Sequence, residues 1–249
     1  MKADLMMENG DTLHGYLENF NISRFIESGV VNSFKRIESV YHFDTKVFKF
    51  KNDEEAEATD IPLTNIKSII VLNDDGSDLR RFDKMKLKTI NSKYEIEDLD
   101  LTVMLPLQSE GKINLYGFSV LVFMGKTYFT SFFLPYLKKA NDEYAYIPLD
   151  YDNISLFNFG KVKGKFKKAF EAVTSDCSQY QTHLDAAIEK LMDKKLMKEI
   201  NRERDTKKKE ARKSIKDKEM EVEILQKIDN DYNIKPYVAL IEDYGNICP

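Results

Sequence analysis

The first 90 residues read as short apolar runs separated by turn residues. Leu5-Met6-Met7 and Leu13-His14-Gly15-Tyr16-Leu17 flank Asn9-Gly10-Asp11-Thr12. Asn-Gly predicts a hairpin of the type I′ kind, because both central positions of that turn take φ > 0. Val47–Phe50 and Ile66–Leu72 follow as strands, with the acidic loop Asn52–Thr59 between them and the turn cluster Asn73-Asp74-Asp75-Gly76 after them. Met85–Ile90, Leu99–Leu105, Lys112–Phe123, Thr127–Leu134 and Tyr144–Leu149 continue the series, up to an aromatic connector at Asp150–Phe159. Short strands at regular spacing predict an antiparallel meander or a small barrel.

The period then changes. In Lys165–Thr174, Phe166, Ala169, Phe170 and Val173 stand at i, i+3, i+4 and i+7, the apolar face of a helix. Ser175-Asp176 reads as its stop and Ser178 as the cap of a second helix, whose stripe is Leu184, Ala187, Ile188, Leu191 and Met192. Residues 201–220 carry nine Lys/Arg against five Asp/Glu, with only Ala211, Ile215 and Met220 apolar. Such a helix cannot pack as core. Pairs such as Glu203–Lys207 and Asp205–Lys209 suit a protruding or solvent-bridging helix. Apolar spacing returns at Met220, Val222, Ile224, Leu225 and Ile228, and Tyr237–Ile241 reads as one last strand. The fold class is therefore α+β. The expected regions are a small barrel over 1–90, an antiparallel meander over 91–160, and a helical region with a protruding charged helix over 161–249.

Charge sharpens this picture. The chain has 249 residues and a net charge of −4, so the local +4 of residues 201–220 leaves about −8 for the rest. A pI near 5.6 argues against general nucleic-acid binding, which needs a basic surface. No apolar run approaches the ~18 residues that span a bilayer. Met1-Lys2-Ala3-Asp4 has no apolar core of a signal peptide, which leaves a cytoplasmic or particle-associated chain, or an exported one whose leader was removed. Cys177 and Cys248 lack zinc-site spacing and are expected as two free structural thiols, with a single disulfide between them as the alternative.

Candidate chemistry is sparse. Gly125-Lys126-Thr127 matches the end of a phosphate loop, but Val120 stands where that loop needs glycine, and a strand rather than a helix follows. His14, His42 and His183 are scattered, so no catalytic residue, metal ligand or cofactor is expected. Lys161, Lys163, Lys165, Lys167 and Lys168 interleave with Phe166 and Phe170. This suits an anionic contact or, more simply, a helix packed on a sheet with wet lysines. Together with Arg202, Arg204, Lys207, Lys208, Lys209, Arg212 and Lys213 they make up the candidate interaction surface.

Two resemblances add to this reading. Asn9–Leu17, with Gly15 as the residue that permits strong bending, and Ile61-Pro62-Leu63-Thr64-Asn65-Ile66 resemble the small barrels of the Sm-like class. A broader order looks like a family of exported, uncharacterised proteins of Bacteroidota. It comprises Gly10-Asp11-Thr12-Leu13 with Gly15-Tyr16-Leu17, Val47–Phe50, Ile61-Pro62 with Asn65-Ile66, Gly111–Tyr116, Thr127-Tyr128-Phe129, and Phe166–Phe170 ending at Asp176-Cys177. That family begins with a signal peptide and has proline after Asp-Cys, where this chain has Ser178. The resemblance implies a non-enzymatic binding or structural protein of the cell envelope or secreted space. The alternatives are a cytoplasmic or virion assembly component that uses the charged helix for protein–protein contacts or self-association, and an Sm-like RNA binder.

Overall fold

In a computed structural model of the chain, residues 1–20, 27–28, 45–123, 129–148, 159–191, 193–215 and 217–248 are described. They form strands β1 (Lys2–Met7), β2 (Thr12–Leu17), β3 (Glu27–Ser28), β4 (Val47–Lys51), β5 (Thr59–Pro62) and β6 (Ile66–Leu72). Then come β7 (Asp78–Ile90), β8 (Ile96–Ser109), β9 (Ile113–Phe123), β10 (Phe129–Lys139) and β11 (Tyr144–Ile147). Helices α1 (Phe159–Val173), α2 (Ser178–Leu191), α3 (Lys194–Ser214) and α4 (Lys218–Ile247) complete the order. The α+β class and the β-rich N-terminal half are as expected.

All the strands share one hydrogen-bonded sheet, and β7 makes that possible. One of its edges pairs antiparallel with β8 from Phe82 to Ile90. The other edge is divided. Asp78–Asp83 pair antiparallel with β6, while Lys86–Thr89 pair parallel with β11. The circuit β7–β8–β9–β10–β11–β7 therefore closes into a five-stranded barrel. From β6 the sheet runs on through β1, β2, β4 and β5. The 90/91 position falls in the hairpin turn between β7 and β8.

Alternation along the strands sorts the side chains into three buried clusters. Met85, Leu87, Leu105, Tyr116, Leu134 and Tyr136 fill the barrel. Ile90, Ile113, Leu115, Phe133 and Leu137, on the opposite face, receive the helices through Phe166, Phe170, Tyr180, Leu184, Leu240 and Tyr244. Leu5, Leu17, Phe48, Phe50, Ile66 and Ile69 form the N-terminal core, which Phe82 of β7 joins.

Three hairpins use one turn design. In 7–11, 73–77 and 91–95 the fourth residue donates its N–H to the first residue's carbonyl, and the first donates its own N–H to the fifth. The fourth residue is left-handed in each: Gly10 at φ +94°, Gly76 at φ +82° and Tyr94 at φ +64°. This is a three-residue loop with a bulge, so the expected type I′ turn at Asn9-Gly10 is corrected: only Gly10 needs φ > 0. Tyr94 takes this position although it has a side chain. Its ring lies against Gly164 of α1, where a Cβ would sit 2.5 Å from Cε1.

The expected final strand at Tyr237–Ile241 is helix instead. On a helix Tyr237, Leu240, Ile241 and Tyr244 share one face, and that face meets the core cluster of the barrel's outer side. Packing therefore overrides both the β-branched composition and Pro236, which forfeits one helical hydrogen bond. Ser178 is the first residue of α2 rather than its cap: Gln181 N–H reaches the carbonyl of Cys177 at 3.2 Å.

Two glycines admit a backbone where no side chain fits. A Cβ on Gly117, at φ +141° in β9, would lie 2.1 Å from the carbonyl oxygen of Leu134. One on Gly15 in β2 would lie 2.0 Å from that of Lys51. Gly117→Ala and Gly15→Ala should each cost about 2 kcal/mol or more in urea unfolding. Gly10→Ala, with open space around it, should cost only about 1 kcal/mol. Equal losses at all three sites would contradict the steric reading.

Candidate functional site: a cationic helix and a groove over a disulfide

α3 buries no residue and is the most cationic element of the chain: ten Lys/Arg face four Asp/Glu in 21 residues. α4 has the opposite balance, with three Lys/Arg and seven Asp/Glu in 30 residues. The two run antiparallel, with ion pairs across their seam. Lys208 Nζ reaches Asp229 at 2.6 Å, Arg204 Nε lies 3.7 Å from the same carboxylate, and Arg212 Nε lies 3.7 Å from Glu221. Lys235 of α4 reaches Glu203 at 3.6 Å and sits 3.8 Å over the Tyr232 ring. Glu203 therefore pairs across to α4 rather than with Lys207, and Asp205 meets Arg204 at 3.4 Å rather than Lys209. The reason is geometric: a partner helix offers fixed charges where a lone helix offers only its own flexible side chains.

The hairpin is well delimited. The Asp193 carboxylate caps α3 by accepting from the N–H groups of Lys195 and Leu196 at 2.9 and 3.0 Å. Asp217 does the same for α4 through Met220 N–H at 3.1 Å. The long charged helix is α3: it ends at Ser214, α4 starts at Lys218, and α3 lies along α4 rather than standing alone.

The candidate cations divide into two groups. Arg204, Lys208 and Arg212 are spent on α4, and Lys207 lies 5.6 Å from the Tyr232 ring. Arg202, Lys209 and Lys213 are exposed, with Lys194, Lys195 and Lys198, and none of these six makes an ion pair among the described residues. Lys195, Lys198, Arg202, Lys209 and Lys213 recur at helical spacing and form a stripe about 27 Å long at ~1.5 Å per residue. The α1 lysines are otherwise engaged. Lys163 pairs with Glu189 at 3.2 Å, Lys167 with Asp185 of α2, and Lys168 with Glu171 at 3.5 Å, while Lys165 is buried. The side chain of Lys161 lies outside the described residues, as do His42 and Gly125-Lys126-Thr127.

The cysteines overturn the expectation of two thiols: Cys177 and Cys248 form a disulfide. Separated by 71 residues, they are brought together because α4 returns across α2. Tyr180 Oη donates to the Leu240 carbonyl at 2.9 Å, and His183 meets Asp243 at 3.0 Å. Sequence spacing carries no signal for such a pairing; only the helical packing sets it. The disulfide lies in an open groove of about 560 Å³, lined in part by Lys112, Lys139, Asp176, Gln179 and Tyr244. Asp176 accepts from Lys139 at 2.7 Å and from Tyr244 Oη at 3.0 Å. The Lys139 hydrogen bond chiefly, with Tyr244 adding, holds Asp176 below its ordinary 3.8. Burial, then the Asp176 hydrogen bond, pushes Tyr244 up to about 12.

One buried polar cluster was not read from the sequence. Inside the barrel, Tyr116 Oη donates to Asp83 at 2.7 Å, and Arg81 Nε donates to the other oxygen of Asp83 at 2.8 Å. Asn114 completes the set, donating to Tyr116 Oη at 3.3 Å and accepting from Gly111 N–H at 3.0 Å. Burial is the chief reason the Tyr116 phenol is pushed far up, so it stays a neutral donor. The signal was the alternation Asp83-Met85-Leu87, which places Asp83 on the inward face. Its members hydrogen-bond one another, so this cluster is read as structure. Among the described residues, no group of three or more His, Cys, Asp or Glu could hold a metal ion. His14 pairs with Asp4 across the β1–β2 hairpin at 2.8 Å. Among the described residues, no helix is long and apolar enough to cross a membrane.

No family model, curated protein or solved structure matches the chain.

The pH limits of stability follow from the groove. The lowered Asp176 carboxyl stabilises the fold above its ordinary 3.8, and that contribution is lost as pH falls through its folded value. The raised Tyr244 phenol contributes fully below its ordinary 10, and its contribution is lost as pH rises from 10 toward about 12. Thermal melts across pH should therefore fall at both ends. Asp176→Asn should flatten the acid limb below pH 3.8, and an unaltered acid limb would remove Asp176 from this role. Asp229→Asn should separately raise amide exchange in α3 while leaving that of β7 unchanged.

Proposed function

We propose that this chain is a non-enzymatic binding protein of an oxidising, extracytoplasmic compartment, and that the outer face of α3 is its contact surface for an acidic protein partner. The observation that carries the reading is the set of six exposed cations on a helix that buries nothing, in a chain of net charge −4. Charge concentrated on one face steers association with an oppositely charged surface. A protein fits better than a nucleic acid because the rest of the chain, at about −8 outside residues 201–220, repels a long phosphate polymer. The Cys177–Cys248 disulfide supports the compartment, since such bonds persist where thiols are not kept reduced. The resemblance to exported proteins of Bacteroidota points the same way.

A second reading is an assembly component. α3, with ten Lys/Arg against four Asp/Glu, and α4, with three against seven, are complementary, so the hairpin could open at Ile215–Asp217 and exchange between copies. Sedimentation across concentration separates the readings, because exchange gives a dimer that survives dilution slowly.

The test of the first reading is photo-crosslinking from position 206 in the native host, followed by cell fractionation and identification of the adduct. The reading expects an acidic protein outside the cytoplasm, with the adduct reduced about tenfold in Lys198→Glu/Arg202→Glu/Lys209→Glu. An adduct with RNA, or one indifferent to the charge reversal, would overturn it.

A further inference from the structure

We infer that the Cys177–Cys248 disulfide is a thiol-exchange site that takes small anionic thiols, with Cys248 as the sulfur attacked and Cys177 as the sulfur released.

Three observations on the groove lead there. Neither cysteine is sealed: both are half-buried and line an open groove of about 560 Å³, room for a small peptide-sized thiol. Among the described residues, the charges that line the opening are unequal. Lys112 and Lys139 stand against one carboxylate, Asp176, which is already committed to Lys139 and Tyr244. Lys112 donates to the Cys248 carbonyl, which puts an ammonium beside that end of the disulfide. An incoming thiol that carries carboxylates is therefore concentrated here, and a cationic one is repelled.

The two sulfurs also differ in kind. Cys177 occupies the cap position of α2, with its carbonyl accepting the first helical N–H, from Gln181. A thiolate there faces the positive end of the helix dipole and is stabilised. Cys248 follows the last residue of the 30-residue α4, at the negative end, where a thiolate is disfavoured. Exchange favours expulsion of the more stable thiolate. The entering thiolate thus forms a bond to Cys248 Sγ as the Cys177–Cys248 bond breaks, and the electron pair leaves on Cys177. The products are a mixed disulfide at Cys248 and a Cys177 thiolate, with no net oxidation. A second thiol attacks the outer sulfur of the mixed disulfide, carries the two small thiols away as their own disulfide, and leaves Cys248 reduced. Meanwhile the Tyr180–Leu240 and His183–Asp243 contacts still hold α4, so exchange frees only its last turn.

The inference does not depend on the α3 reading, and the experiment uses the intact oxidised chain. Glutathione, mercaptoethanol and cysteamine supply anionic, neutral and cationic thiols, with rates compared per thiolate in native buffer. Adducts are trapped by acid and located by peptide mass mapping. The expected result is a glutathione rate about fivefold above that of cysteamine, the size of one charge interaction in water. That preference should collapse in 0.5 M salt and in Lys112→Gln/Lys139→Gln, with the adduct on Cys248. Adduct chiefly on Cys177, equal rates for the three thiols, or reaction only at the rate of global unfolding would each overturn it.

Discussion

Strand β7 is hydrogen-bonded to three neighbours, and the rest of the molecule depends on how its second edge is divided. Asp78–Asp83 belong to β6 and the N-terminal strands, while Lys86–Thr89 belong to β11 and the barrel. Lys84, at the division, is tied outward: its ammonium donates to the Thr64 carbonyl at 2.8 Å and pairs with Glu8. The same short stretch sends Phe82 into the N-terminal core and Met85 and Leu87 into the barrel. Two cores are thus organised by one run of backbone. Asp83 between them is made tolerable by Arg81 and Tyr116.

From that frame the helices follow in order. Closing the barrel exposes an apolar outer face on β9 and β10, which α1 and the second half of α4 cover. Covering it brings the end of α4 to the start of α2, which places Cys248 beside Cys177. The first half of α4 then extends beyond the core with its acids available, and α3 lies on them. α3 buries no residue and meets α4 through ion pairs, so its outer face keeps its cations. The cationic surface and the disulfide groove are two consequences of one packing decision.

Much of this was legible in the sequence. The turn glycines Gly10 and Gly76 and the stripe Phe166-Ala169-Phe170-Val173 act through local physics, and each lies where the pattern put it. What was not legible is non-local. Tyr237–Ile241 looked like a strand because its helical face only has meaning against Phe133 and Phe166, whose rings lie 5.6 and 5.3 Å from Tyr237. The disulfide needs 71 residues of intervening fold to bring its halves together. Most ion pairs of α3 run across to α4, which no spacing within the helix can show. For the candidate surface, sequence alone could not separate cations already paired, such as Lys167 and Lys208, from those left exposed, such as Arg202 and Lys209.

Native-state hydrogen exchange over a urea series tests the role of β7 most directly. The account predicts that amides of β6, such as Ile69, and of β10, such as Leu137, lose protection together, with one opening free energy and one urea dependence. α3 should open separately and at lower cost. If the N-terminal strands instead opened independently of the barrel, β7 would not couple the two cores, and the account would be contradicted at its root.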